Sequence, residues 1–357
     1  MIGRLLLPLL LAQVPATTPD GFAVARPGHR FAFPADHGSH PAFRTEWWYW
    51  TGHLQDDRGR RYGFQLTFFR QASPKAPWRG SAAFRSDQLH LAHAALTEVD
   101  GKRFRVEERL NREGLLAGAA EGGLRVFHGP WEVVQDGAGQ RLRLTVEGAV
   151  LELKLEPRTA PVIFGEQGVS RKGADPTASS HYVTFPRQAA EGRLALPGEL
   201  PRPVRGSAWM DHEWSSNQLG ADQVGWDWAG LQLDDGRSLM AYRLRRADGG
   251  QDPFSSATLV DPGGRILERT SAFLMLPEGE WKSPASGIRY PLPLRLEAFG
   301  ERWTLVPLLA DQELRTRRSN GITYWEGACR VLDAAGADKG RAYLELTGYG
   351  GSLKGRF

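Results

Sequence analysis

Four short segments of the sequence place tryptophan next to acidic residues, and together they hold seven of the 12 tryptophans. They are Glu46-Trp47-Trp48-Tyr49-Trp50, Asp211-His212-Glu213-Trp214, Trp226-Asp227-Trp228 and Tyr324-Trp325-Glu326. A carboxyl group buried against aromatic rings loses hydration, so its pKa rises and it can hold a proton near neutral pH. One such segment by itself is more typical of a core strand, because aromatic residues mostly fill cores. Four of them favour an apolar pocket that also handles protons.

A pocket of this kind can add water to a carbon–carbon double bond. The carboxylic acid protonates the double bond, the negative faces of the rings stabilise the carbocation, and water completes the reaction. Asp211 is the predicted acid. Because successive side chains of a strand face opposite ways, Asp211 and Glu213 are expected on one face and His212 on the other. The same rule separates Glu46, Trp48 and Trp50 from Trp47 and Tyr49, and Asp227 from Trp226 and Trp228.

Other chemistries have weaker support. The sequence has no Gly-x-Ser-x-Gly motif, and Gly168 to Gly173 misses that spacing by one residue, which disfavours a serine hydrolase of the usual α/β kind. Cys329, the only cysteine, is more typical of a small buried residue than of a nucleophile. His90 and His93 are three apart and would face opposite ways in a strand, so no convergent zinc ligands are evident. We predict neither a metal nor a cofactor.

Composition places the chain among ordinary globular proteins. Its 357 residues exceed a typical domain of ~100–200 residues, so two domains are expected. Hydrophobic residues make up 41% and charged residues 24%, enough for a sizeable core. The formal net charge is only +4, and the arginines are scattered. Nucleic-acid binding is disfavoured, because phosphate recognition needs a clustered basic surface.

The first 18 residues predict an export signal. Arg4 provides a positive start, residues 5–12 form an apolar run broken by Pro8, and residues 14–16 offer small residues for cleavage. That run is far shorter than the ~20 residues of a membrane-spanning helix. A periplasmic or secreted protein is expected, and a single cysteine allows no internal disulfide.

The rest of the sequence predicts an all-β fold. Residues 141–147, 151–156 and 343–347 alternate apolar and polar side chains, as half-buried strands do, and Asp-Gly pairs at 100–101, 136–137, 235–236 and 248–249 suit hairpin turns. Residues 50–60 and 228–237 form a weak internal repeat, which indicates two related β domains. Pro- and Gly-rich residues 192–203 suggest the boundary, giving domains at 19–203 and 204–357.

Several strings, in order along nearly the whole chain, resemble the lipocalin-like family that contains carotenoid 1,2-hydratase and the AttH-type secreted proteins. The strings span residues 40–54, 65–70, 91–96, 168–173, 208–215, 224–228, 307–314, 324–327 and 344–349. The resemblance implies two lipocalin-like antiparallel β-barrel domains in tandem. It leaves the reaction open, because the family includes hydratases, pericyclases and exported proteins described as hydrolases.

Two functions follow as alternatives. The first is an exported hydratase acting on a large apolar, lipid, isoprenoid or polyene-like molecule; the second is a periplasmic carrier for a lipophilic ligand. A buried pair such as Asp211 and Glu213 in the pocket favours the enzyme, whereas pairing of the same carboxylates with Arg171, Arg205 or Arg243 favours a structural role. The partner in both is a lipophilic small molecule, compatible with peripheral membrane contact, and the oligomeric state stays open.

The predicted site combines these observations. The candidate catalytic residues are Asp211, His212 and Glu213. The candidate ligand-binding residues are Glu46, Trp47, Trp48, Tyr49, His93, Trp214, Trp226, Asp227, Trp228, Tyr324, Trp325 and Glu326.

Overall fold

A computed structural model describes residues 14–73, 87–217, 219–220 and 222–353. Within these ranges the chain forms 25 strands and one 3-10 helix, Ala35–His37, and no α-helix. Most of the expected export signal, residues 1–13, lies outside the described residues. In the described part of that segment, the Ala16 carbonyl accepts a hydrogen bond from Val24 N at 3.0 Å. No helix in the described ranges is long and apolar enough to cross a membrane.

The first thirteen strands form one antiparallel sheet. They are β1 (Thr45–Asp56), β2 (Arg61–Ala72), β3 (Gln88–Glu98), β4 (Arg103–Arg112), β5 (Ala117–Ala119), β6 (Arg125–His128), β7 (Trp131–Asp136), β8 (Gly139–Val146), β9 (Ala149–Pro157), β10 (Val162–Ile163), β11 (Ser170–Arg171), β12 (Ser179–Ala195) and β13 (Arg202–Asn217). Their order is β4-β3-β2-β1-β13-β12-β9-β8-β7-β6-β5, and β10 and β11 also pair with β12.

The remaining twelve strands form the second half of the molecule. They are β14 (Gln223–Leu233), β15 (Ser238–Arg246), β16 (Ser256–Val260), β17 (Ile266–Thr270), β18 (Leu274–Pro277), β19 (Trp281–Lys282), β20 (Arg289–Tyr290), β21 (Leu294–Ala298), β22 (Glu301–Pro307), β23 (Glu313–Arg315), β24 (Thr323–Leu332) and β25 (Asp338–Leu346). Strands β19 and β20 pair with each other. The other ten form a sheet in the order β17-β16-β15-β14-β25-β24-β22-β21-β18, with β23 on β24.

The first sheet forms a nearly closed barrel and the second a half-barrel, which confirms the expected all-β fold with two tandem barrel domains. Each has its own core: Trp48, Trp50 and Trp214 lie in the first, and Trp303 and Trp325 in the second. A third apolar cluster lies between the two sheets and includes residues from both halves. Alternation explains the arrangement, because a strand with both faces buried must place one set of side chains inside a barrel and the other set between the sheets.

The chain passes from the first sheet to the second between Asn217 and Gln223. The boundary expected at 203/204 falls instead within the first residues of β13, which pairs with β1 along its length. The Pro- and Gly-rich segment there is the hairpin that joins β12 to β13, with Leu194 opposite Arg202. Turn-forming residues therefore mark a connection within the first sheet, since hairpins and linkers have similar compositions.

Candidate functional site

A cavity of about 110 Å³ lies between the two sheets. Aromatic side chains make up half of its lining residues, namely Trp47, Tyr49, Phe69, Tyr182, Trp226, Trp228, Tyr242 and Tyr324. Four acidic side chains and one lysine also line it, namely Asp211, Glu213, Glu326, Glu345 and Lys172. A concave, largely apolar space with a few convergent polar groups is the usual form of a small-molecule site.

Strand alternation places the first acid pair in this cavity. Asp211 and Glu213 both line it, one residue apart on β13, while His212 between them points into the first barrel. Neighbouring β1 follows the same rule, with Tyr49 opposite Asp211 and Trp47 opposite Glu213. The predicted separation of faces on both segments is therefore present in the structure.

Asp211 is almost fully buried and is surrounded by neutral hydrogen-bond partners. Trp209 Nε1 donates to its Oδ1 at 2.7 Å, and the Tyr182 hydroxyl bonds its Oδ2 at 2.6 Å. Burial raises the pKa of Asp211 to about 7, although the hydrogen bonds from Thr184, Tyr182 and Trp209 act in the opposite direction. No arginine or lysine of the described residues forms an ion pair with it. Asp211 is thus a carboxyl group that can exchange a proton near neutral pH.

The hydroxyl group of Thr184 has two acceptors within reach. Thr184 Oγ1 lies within hydrogen-bond distance of both Asp211 Oδ1 and the Met210 carbonyl oxygen, at 2.8 Å from the latter. A hydroxyl group has one hydrogen, so Thr184 donates fully to only one of these two oxygens at a time. The hydrogen bond that favours the ionised form of Asp211 is therefore shared with the backbone.

Glu213 has a charged partner. Lys172 Nζ lies 3.1 Å from Glu213 Oε1, and both side chains are buried. Lys172 Nζ also lies 4.2 Å from the ring centre of Tyr242 and 5.1 Å from that of Tyr182. Burial by itself would lower the pKa of Lys172, but the negative charge of Glu213 raises it above the ordinary value. The first sheet therefore presents two different carboxyl groups to the cavity. Asp211 has neutral hydrogen-bond partners, whereas Glu213 forms an ion pair with Lys172.

The second sheet contributes a second acid pair. Glu326 and Glu345 are directly opposite on β24 and β25. Burial raises the pKa of Glu345 to about 7, despite a 2.8 Å hydrogen bond donated by Trp226 Nε1. Burial, followed by the nearby charge of Glu345, raises the pKa of Glu326 well above its ordinary value. Gln65 Nε2 donates to Glu326 Oε2, whereas Oε1 has no hydrogen-bond partner in the described part of the chain.

His93 lies behind this wall and does not line the cavity. Its Nδ1 is 2.8 Å from the Tyr324 hydroxyl, and its Nε2 is 2.9 Å from Ser319 Oγ. Burial lowers the pKa of His93 to about 4, so the ring is neutral near pH 7. His93 is placed to hold Tyr324, which does line the cavity.

The predicted residues therefore divide into two groups. The cavity contains Trp47, Tyr49, Asp211, Glu213, Trp226, Trp228, Tyr324 and Glu326. The other predicted residues lie outside it, namely Glu46, Trp48, His93, His212, Trp214, Asp227 and Trp325. Most of the latter sit on the opposite faces of the same strands, as the alternation requires.

Asp227, on the face of β14 that points away from the cavity, is paired with arginines. It is fully buried, its Oδ1 lies 2.9 Å from Arg245 Nε, and its Oδ2 lies 3.6 Å from Arg243 Nη1. Tyr349 donates a hydrogen bond to it at 3.0 Å. Trp325 is in the core of the second half-barrel, where its Nε1 donates to the Ala310 carbonyl. Unlike Asp211, Asp227 is paired with two arginines, which is the arrangement of an acid with a structural role.

Glu46 and His212 belong to a separate network inside the first barrel. His40, Glu46 and His212 place one ligand-type atom each within 4.8 Å of one another. Arg70 Nε lies 2.9 Å from Glu46 Oε2, however, and both side chains are almost fully buried. The guanidinium group already balances the carboxylate, so the surroundings disfavour a divalent cation at this position.

Sequence reasoning missed several residues of the site. Lys172, Tyr182, Tyr242 and Glu345 line the cavity without belonging to the tryptophan segments. Lys172 and Glu345 do fall within strings that carry the family resemblance, residues 168–173 and 344–349, and this is the signal that could have found them. A single charged residue in an alternating strand otherwise indicates a solvent-facing position.

Comparisons with known proteins agree with this architecture. A solved AttH structure from Nitrosomonas europaea is 35% identical and has a TM-score of 0.83, covering 92% of this chain and 100% of that one. Kievitone hydratase from Nectria haematococca shares the fold at 13% identity and TM-score 0.66, covering 93% and 95% of the two chains. CghA shares it at 15% identity and TM-score 0.54, covering 85% and 88%. No curated protein matches the sequence.

The family comparison covers almost everything between the end of the expected export signal and the last strand. The AttH-like family model matches residues 24–349, a range that contains both acid pairs and every aromatic residue of the cavity wall. The chain therefore belongs to the AttH-like family.

Proposed function

We propose that the protein binds an apolar unsaturated molecule in the cavity between the sheets and adds water to one of its double bonds, with Asp211 as the acid. The observation that carries this proposal is a buried carboxyl group with a pKa of about 7, no cationic partner among the described residues, and tryptophan rings lining the same cavity. The fold shared with kievitone hydratase is compatible with it, because that protein's name describes the same type of reaction.

In the proposed reaction Asp211 transfers its proton to one alkene carbon, forming a C–H bond and leaving a carbocation on the neighbouring carbon. The faces of Trp47 and Trp228 stabilise that cation by about 2 kcal/mol or more where water is excluded. A water molecule then forms the C–O bond, and its excess proton returns to the Asp211 carboxylate. Glu213, fixed by Lys172 on the same face of β13, is placed to orient this water.

The test is a hydration assay in H₂¹⁸O with a panel of isoprenoid and polyene alkenes. The expected product is heavier than its substrate by one H₂¹⁸O. Asp211→Asn keeps the shape of the side chain and removes the transferable proton, so turnover should fall by ~10²–10⁴-fold with the fold intact. Glu152→Gln on the exposed face of β9 is the matched control and should retain full activity. Equal turnover by Asp211→Asn and the wild type would refute the assignment of the acid.

The second candidate is a non-catalytic carrier for a lipophilic ligand. The aromatic lining favours it, because ring faces bind an apolar body without any proton transfer. For a carrier, Asp211→Asn should change ligand affinity only modestly and no ¹⁸O should enter the ligand. Native mass spectrometry of the protein purified from its host should show the ligand it retains.

We also propose that the protein is exported, on the basis of its first 18 residues. Mature protein recovered from the cell envelope should begin near residue 17. Soluble protein that still carries residues 4–11 would contradict export.

A further inference from the structure

The two acid pairs of the cavity differ in how their charge is balanced. Asp211 and Glu213 come from the first sheet, whereas Glu326 and Glu345 come from the second. The cavity wall contains one cationic side chain in the described part of the protein, Lys172, and it pairs with Glu213. No lysine or arginine of the described residues pairs with Glu326 or Glu345. Among the residues that the structure describes, the pair from the second sheet is therefore left without a counter-ion.

Glu326 is also incompletely bonded. Its side chain is 1% exposed, yet its Oε1 has no hydrogen-bond partner within the described ranges. The hydroxyl of Tyr49, which faces the cavity from the first sheet, has no partner within hydrogen-bond distance either, although it is close enough to Glu326 to lower the pKa of that acid. Buried polar atoms are normally satisfied by the protein, by water or by a ligand. The unpartnered Glu326 Oε1, which faces the cavity, therefore points to a bound group that satisfies it.

The rings of this cavity already hold one cation. Lys172 Nζ lies over Tyr242 at 4.2 Å from the ring centre, within the ~6 Å range of a cation–π contact. Near Glu326 and Glu345, the rings of Trp226, Tyr324 and Tyr49 offer the same kind of surface. Carboxylates combined with aromatic faces are the usual means of recognising an ammonium group.

We propose that the Glu326–Glu345 wall binds a positively charged nitrogen, so that the ligand of this cavity is an apolar molecule carrying a protonated or quaternary amine. This inference rests on the proposed function for the location of the ligand and adds the charged group to it. Because burial raises the pKa of Glu345 to about 7 and that of Glu326 well above its ordinary value, these acids tend to keep their protons near neutral pH when no cation is bound. A bound cation favours loss of these protons, so its affinity increases as pH rises through about 7.

A matched pair of small probes isolates the charge. Choline and 3,3-dimethylbutan-1-ol have nearly the same shape, but only choline carries a positive nitrogen. Isothermal titration calorimetry at pH 6 and pH 8 should show choline binding at least ~10-fold more tightly than the alcohol at pH 8, equivalent to ~1.4 kcal/mol. The choline affinity should be lower at pH 6, and that of the alcohol unchanged.

Two variants locate the effect. Glu345→Gln and Glu326→Gln should each reduce the affinity for choline by ~10-fold and leave the affinity for the alcohol within about twofold. The exposed Glu268→Gln on β17 is the control and should behave as wild type. If one cavity variant fails to fold, the other carries the test. Equal affinity for the two probes in the folded wild-type protein would overturn the inference, because the glutamic acids would then act as neutral hydrogen-bond donors.

The outcome is separable from that of the hydration assay. Choline preference without ¹⁸O incorporation would leave the cation site standing and remove the proposed reaction. Hydration that depends on Asp211, without any preference for choline, would support the proposed reaction and refute the cation site.

Discussion

Glu46 and Asp211 are both almost fully buried acids on neighbouring strands of the first sheet, yet their protonation is opposite. Burial would raise the pKa of Glu46, but hydrogen bonds from His212 and His40 and the charge of Arg70 lower it far below its ordinary value. Asp211 has only neutral donors, and burial raises its pKa to about 7. The difference teaches that the counter-charge, and not burial alone, decides whether a buried acid stabilises the fold or remains available for chemistry.

The largest expected effect comes from breaking the charged network. Arg70→Met leaves the Glu46 carboxylate buried without its guanidinium partner, so the free energy of unfolding should fall by ~3–5 kcal/mol. Urea denaturation measures this loss. The double variant Glu46→Gln, Arg70→Met should recover part of it, because the unpaired charge is removed. A loss below ~1 kcal/mol for the single variant would mean that the buried carboxylate of Glu46 is not stabilised by the charge of Arg70.

Asp211→Asn tests the uncompensated acid of this comparison through the pH dependence of stability. An acid whose pKa is raised in the folded state contributes stability below its unfolded pKa of ~3.9, and this contribution is lost as pH rises through the folded pKa. With that folded value at about 7, the loss for Asp211 extends from pH ~4 to ~7 and amounts to as much as ~4 kcal/mol. Asp211→Asn should remove this component and flatten the curve.

Urea denaturation at several pH values between 4 and 8 checks this expectation. A residual slope should remain in the variant, because the raised pKa of Glu345 acts in the same direction. An unchanged slope would show that Asp211 is already ionised in the folded protein.

Lys172 allows the effect of a nearby positive charge on the pKa of Asp211 to be tested within the cavity. Its ammonium group favours the ionised form of nearby Asp211 and thereby limits how far the pKa of that acid rises. Lys172→Met should therefore shift the alkaline limb of the hydration rate upward by about one pH unit, which corresponds to ~1.4 kcal/mol. Lys172→Arg keeps the charge and should leave the limb in place. A shift to lower pH would exclude the electrostatic role.

The smallest effect is expected at an exposed ion pair. Arg143 Nε lies 3.2 Å from Glu152 Oε1 on the surface of the first barrel, with both side chains more than half exposed. Such pairs contribute little, so Glu152→Gln should change the free energy of unfolding by less than ~0.5 kcal/mol. Denaturation in low and high salt measures it. A loss comparable to that of Arg70→Met would contradict the role assigned to burial.

Alternation of side chains allowed the sequence to predict which residues of a segment share a face. It separated Asp211 from His212 and Trp47 from Trp48 correctly, and the all-β tandem-barrel fold followed from strand patterns and family resemblance. It could not indicate which face belongs to a barrel core and which to the cavity, since both are buried and aromatic. For that reason the predicted site wrongly contains Trp325 and Asp227, which do not line the cavity.

The partners of the cavity acids were beyond prediction for a different reason. Lys172 reaches Glu213 from a segment about forty positions earlier in the chain, and Glu345 faces Glu326 only after β24 and β25 pair. These contacts depend on tertiary packing: the strings of the family resemblance could have indicated Lys172 and Glu345 themselves, but not the acids that each of them meets. The change of sheets after Asn217 was missed similarly, because a hairpin and a linker have the same turn-rich composition.

The alternation along β13 also bears on how this fold can diversify. On this strand the residues that face the cavity alternate with those that hold the barrel together, so one set can be exchanged while the other is kept. Substitutions at Asp211 or Glu213 alter the chemistry of the cavity between the two sheets without removing Trp214 or Met210 from the core. A lineage can therefore change the chemistry of this cavity while its folding core stays the same.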